Sequence, residues 1–74
     1  MQMTKKESLA REIKIARATK GYTQTDLSKV SGVSKITIAL IESNKNKKLP
    51  SIDTVVKLAN ALDLNKERLL KYLA

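Results

Sequence analysis

The chain has 74 residues, with fifteen Lys and Arg against seven Asp and Glu, a formal charge of +8 and a pI near 10.0. It contains no Cys, His, Trp or Phe. That excludes a disulfide framework and a thiolate metal site, and it removes the usual general base and the commonest metal ligand. No paired-carboxylate, nucleophile–base or metal-ligand arrangement points to an enzyme, and no cofactor or small-molecule ligand is expected.

At this length the chain reads as one small domain over residues 1–74, near the lower limit of what folds unaided. No apolar run approaches the roughly 20 residues needed to span a bilayer. The N-terminus lacks the charged-then-apolar layout of a signal peptide, so a cytoplasmic location is expected. The charge excess attracts polyanions, nucleic acid ahead of an acidic membrane, since no helix pairs a continuous basic face with Trp or Phe anchors. The alternative is that the lysines only keep a small protein soluble.

Residues 1–4 read as frayed. Thr4 to Glu7 matches a capping box, in which Glu7 reaches back to the Thr4 N–H. Leu9, Ile13 and Ala16 repeat at helical spacing, and Gly21 ends this first helix. Thr23 caps a second helix, with Asp26 three residues on. Leu27 and Ser31 share one face of it. Gly32 then supplies the left-handed conformation that a sharp helix-to-helix turn requires. Ser34 caps a third helix over residues 34–43. Its Ile38 and Ile41 point inward, while Lys35, Ile36, Thr37, Ala39 and Leu40 fall on other faces. Two short helices joined through a Gly-containing turn read as a helix-turn-helix.

A basic loop, Lys45-Asn46-Lys47-Lys48, follows Asn44. It is either a solvated charge run or a phosphate-binding segment. Pro50 disfavours helix just before itself and Ser51 caps the fourth helix, whose stripe is Ile52, Val55, Ala59 and Leu62, broadened by Val56 and Leu58. Asn65 caps a last helix containing Leu69, Leu70, Tyr72 and Leu73. That helix carries more apolar residues than a thin core absorbs, so Leu70, Tyr72 and Leu73 are either dimer contacts or core. The fold class is all-α, with five helices.

Thr23-Gln24, Leu27, Gly32-Val33-Ser34, Thr37, Ile38, Ile41-Glu42 and Pro50-Ser51 resemble the signature of the phage repressor/Cro family of helix-turn-helix regulators, over about residues 13–64. The resemblance implies a repressor-like DNA-binding domain whose third helix enters the major groove of double-stranded DNA. It further implies that Arg17 pairs with Glu42 to clamp the first helix to the reading helix and also faces a phosphate; two unrelated surface charges are the alternative. Family members have Gly where Ser43-Asn44 stands, and Asn tolerates the same left-handed stop. Gln24 matches a family Gln that contacts the DNA backbone and braces a reading-helix side chain.

On this reading Ser34, Lys35, Ile36, Thr37 and Leu40 lie nearest the bases. Lys35 donates to guanine or instead touches phosphate, and Ile36 packs on a thymine methyl or completes the core. Arg17, Thr23, Gln24, Asn44, Lys45, Lys47 and Lys48 are the expected backbone contacts. The leading expectation is a dimeric repressor of a palindromic operator. The competing one is a protein-interaction module on the same fold, docking a partner through its apolar third helix.

Overall fold

Every helix begins where the sequence offers a side-chain oxygen. The computed structural model describes residues 3–45 and 48–74 and contains α1 (Lys5–Thr19), α2 (Gln24–Ser31), α3 (Lys35–Glu42), α4 (Ile52–Leu62) and α5 (Lys66–Leu70). Thr4, Thr23, Ser34, Ser51 and Asn65 cap them in turn, each accepting from the backbone N–H three residues on. These bonds satisfy N–H groups that the first turn of a helix otherwise leaves without partners. At Thr4 and Thr23 the box is reciprocal, with Glu7 and Asp26 accepting from the cap N–H at 3.0 and 2.9 Å. Residue 4 is therefore held, and fraying does not extend to it; residues 1 and 2 lie outside the described residues.

The helices stop by different means. Gly32 closes α2 at φ 77°, while Asn44 and Asp63 take φ 55° after α3 and α4. Asn and Asp are among the few side chains that enter this region readily. The last helix is shorter than its apolar run suggests, because after Leu70 the chain tightens into a 3-10 turn, Lys71–Leu73.

All five helices feed one core. Leu9 and Ile13 of α1 meet Leu27 of α2, Val33 of the turn, Ile38 and Ile41 of α3, and Leu69 of α5. From α4 come Val55, Leu58, Ala59 and Leu62. Ile52, expected on this stripe, is 64% exposed. It is the first residue of α4, at the end of the stripe, where the described residues leave most of it uncovered, while Leu58 lies fully on the buried face. No strand occurs among the described residues.

Helix α1 packs on α3, α4 and the C-terminal turn, while α2 packs on α3 and α4. Leu70, Tyr72 and Leu73 are half-buried against the core. The Tyr72 hydroxyl donates to the Glu12 carboxylate, whose other oxygen lies 3.1 Å from Arg68 Nη2. One acidic residue of α1 thus holds the end of the chain in place. The Glu12 carboxylate beside it raises the Tyr72 pKa.

Candidate nucleic-acid interface

The geometry of the interface starts from Gly32. Its backbone lies at φ 77°, and Ser34, two residues after it, caps α3. Val33 is buried, and its N–H donates to Ser31 Oγ at 3.1 Å, so the turn is fixed from both sides. The two inward residues of α3, Ile38 and Ile41, are held in the core. That fixes which side of α3 faces out.

At the C-terminal end of α3 the orientation is locked by charge. Arg17 Nε donates to Glu42 Oε2 at 2.7 Å and Nη2 donates to Oε1 at 2.9 Å, a fork-on-fork pair. Nη1 donates to the Tyr22 carbonyl at 2.8 Å. Gln24 Nε2, from the start of α2, reaches the same Glu42 Oε1 at 3.3 Å. The Arg17 and Glu42 side chains are 18% and 4% exposed. Glu42 thereby joins α1, α2 and α3 at one buried carboxylate, and its hydrogen bonds raise the Arg17 pKa further above its already high value. With all three nitrogens of Arg17 engaged and little of it exposed, a phosphate has small access to it. Gln24 likewise turns toward Glu42.

The outward face carries Ser34, Lys35, Ile36 and Leu40, all exposed, with Thr37 half-buried beside them. Ser34 Oγ accepts from the Thr37 N–H at 3.1 Å and donates to Thr37 Oγ1 at 2.8 Å. Ile36 is 75% exposed and Leu40 42%. The alternative that Ile36 completes the core is therefore removed.

Beyond α3, Lys45 and Lys48 line an open groove of about 460 Å3 with Thr37, Leu40, Pro50, Ser51 and Thr54. The groove runs from the outward face of α3 to the N-terminus of α4, where a helix presents N–H groups and partial positive charge. Asn44 is exposed at the head of this loop. Lys47 lies outside the described residues. Thr23 is exposed at the start of α2, with its hydroxyl accepting from Asp26 N–H at 3.0 Å. Thr54 and the Tyr22 carbonyl were not among the expected site residues. The Ser51 cap, one turn before Thr54, was the available signal for the first. A backbone carbonyl leaves no signal at all.

The helix-turn-helix family matches residues 13–69. The chain belongs to the Cro/C1-type helix-turn-helix family of DNA-binding transcriptional regulators. Within the motif α2 is the first helix and α3 the second. Among solved structures, the chain is similar to SinR, a master regulator for biofilm formation, in complex with DNA. Identity is 34% and the TM-score 0.76, over 84% of this chain and 97% of that one. A second similar structure is the SinR/SinI protein complex, with the same identity and TM-score; there the chain spans 59% of the length of the chain it matches. Comparison with curated proteins gives no match. Among the described residues no helix is long and apolar enough to cross a membrane.

Proposed function

We propose that the chain binds double-stranded DNA as a homodimer and represses transcription by occupying a palindromic operator, with α3 of each copy in the major groove. The observation that carries this reading is the division of α3. Its inner residues Ile38, Ile41 and Glu42 are anchored, and Lys35, Ile36 and Leu40 are left facing out with no partner in the core. Similarity to a SinR–DNA complex supports it. So does the local charge: residues 23–51 hold five lysines and two acids, one of which, Glu42, is already paired with Arg17.

Lys35, at the first turn of α3, donates to guanine O6 and N7, the commonest specific base contact made by a basic side chain. Ser34, Ile36, Thr37 and Leu40 complete the base-facing set. Thr23, Asn44, Lys45, Lys47 and Lys48 lie along the phosphates, and Gln24 braces Glu42 at their edge. Arg17 acts as the clamp. Exposed parts of Leu70, Tyr72 and Leu73 meet the second copy, so two reading helices enter successive grooves about 34 Å apart. The protein acts by binding and not by turnover.

The test is a binding-site selection followed by titrations of Lys35→Ala and of a Lys45→Gln/Lys48→Gln double variant on the selected site and on unrelated DNA. Lys35→Ala weakens the selected site by roughly 1–3 kcal/mol and relaxes preference at one symmetric base pair. The double variant weakens all DNA and reduces the log–log salt slope by about 2 per copy, or about 4 for the dimer. A uniform loss for Lys35→Ala makes it a phosphate contact. An unchanged salt slope removes the loop from the interface.

A further inference from the structure

The outward face of α3 has little with which to hydrogen-bond a base. Ser34 and Thr37 direct their hydroxyls at each other, 2.8 Å apart, and Ser34 also caps the helix. Between residues 34 and 40 that leaves Lys35 as the one long donor facing out. Beside it, Ile36 and Leu40 stand one turn apart on the same stripe. Both are large, apolar and exposed, and neither belongs to the core. Two branched aliphatic side chains in water gain free energy only when something covers them.

The surrounding charge identifies what covers them. Lys35 adjoins the pair in sequence, and Lys45 and Lys48 share a groove with Leu40, so the occupant is a polyanion carrying apolar groups at its surface. DNA has such a group in the major groove. Among the base edges displayed there, the C5-methyl of thymine is the apolar feature.

We propose that Ile36 and Leu40 select the operator by contact with C5-methyl groups, and that Lys35 supplies the one hydrogen-bonded guanine beside them. This rests on the DNA-reading role of α3 given above and names what that helix recognises. The group sensed is the methyl itself, not the A·T pair. A 5-methylcytosine at the same position therefore presents the same surface to Ile36 or Leu40, and an unmethylated cytosine does not.

The experiment uses the whole chain and the site obtained by selection. Each thymine is replaced singly by deoxyuridine, which removes the methyl and nothing else, and each T·A pair by 5-methylcytosine·G or by C·G. Deoxyuridine at the contacted positions weakens binding about fourfold per methyl, the worth of one such apolar group moved out of water. The 5-methylcytosine site binds more tightly than its C·G counterpart by a similar factor. Ile36→Ala and Leu40→Ala each lose the sensitivity at one position, and they fold normally because neither side chain is in the core.

Sequence-selective binding that ignores deoxyuridine at every position overturns the methyl reading and leaves DNA reading intact. Failure to select any sequence overturns both. Ile36→Ala and Leu40→Ala variants that bind DNA as the parent does, with deoxyuridine sensitivity retained, overturn the assignment.

Discussion

Removing either partner of the Arg17–Glu42 pair should destabilise the protein, and by unequal amounts. In Arg17→Ala the Glu42 carboxylate, 4% exposed in the intact pair, keeps only the Gln24 amide at 3.3 Å. Stranding a buried charge in this way costs about 3–5 kcal/mol. In Glu42→Ala the guanidinium keeps its 2.8 Å bond to the Tyr22 carbonyl and some contact with water, at 18% exposure. The loss is then about 2 kcal/mol, near that of leaving a partly solvated polar group without its partner. A chain of this size has roughly 4–11 kcal/mol of stability in total. Glu42→Ala should therefore lower Tm by about 10–15 °C, and Arg17→Ala should bring the protein close to unfolding. Replacing both, as Arg17→Met with Glu42→Leu, restores most of the loss, because no charge is left unpaired. Urea titrations followed by helical circular dichroism measure all three, provided the m-value is unchanged. Coupling below about 0.5 kcal/mol in the cycle of Arg17→Ala, Glu42→Ala and the variant carrying both alanines would refute the clamp, and a larger loss for Glu42→Ala than for Arg17→Ala would refute the asymmetry argued from burial.

The capping carboxylates give the protein an acid-sensitive limb. Backbone N–H bonds from Thr4 and Thr23 hold the Glu7 and Asp26 pKa values below their ordinary 4.5 and 3.8. A depressed carboxyl stabilises the fold fully above its unfolded-state value and loses that contribution as pH falls through the lower, folded-state value. Urea midpoints should therefore drop as pH falls below about 4. Asp26→Asn should be less stable at neutral pH and show a shallower acid limb; an identical limb would remove Asp26 from the linkage. Gly32→Ala should cost about 1 kcal/mol from backbone strain alone, since a Cβ there meets nothing within 4 Å and φ is 77°. An unchanged urea midpoint would show that the turn relaxes.

Helix starts were legible because they are local. Thr4, Thr23, Ser34, Ser51 and Asn65 each bond three residues ahead, so a short window of sequence contains the whole interaction. The division of α3 was only half legible. Helical spacing put Ile38 and Ile41 inward, as the structure has them, but the run Ile36-Thr37-Ile38-Ala39-Leu40-Ile41 is apolar on nearly every side, so Ile36 could be read either as core or as outward. The answer depends on where α1 and α2 pack, and that is a long-range matter. Position 52 misled for a related reason: spacing put Ile52 on the α4 stripe, but coverage ends before the stripe does. The C-terminal residues show the same limit. Leu70, Tyr72 and Leu73 read equally as core or as contact surface, and the bond from Tyr72 to Glu12 joins positions sixty apart in sequence.

The division of α3 also separates what this helix must keep from what it is free to change. Ile38 and Ile41 fill the core, and Glu42 ties three helices together, so substitutions there alter stability first and recognition only as a consequence. Lys35, Ile36 and Leu40 lie outside the core. On the proposed reading, substitutions at these three positions should change the operator at little cost in stability, because exposed positions away from caps and core lie within about 0.5 kcal/mol of neutral. The reading helix is therefore a rigid mount with an interchangeable face. A rigid mount matters here because contacts with methyl groups are short-ranged: dispersion is forfeited when the gap opens by as little as about 0.5–1 Å. On the proposed reading, the carboxylate of Glu42 would serve recognition indirectly, by holding Ile36 and Leu40 at a fixed height above the bases.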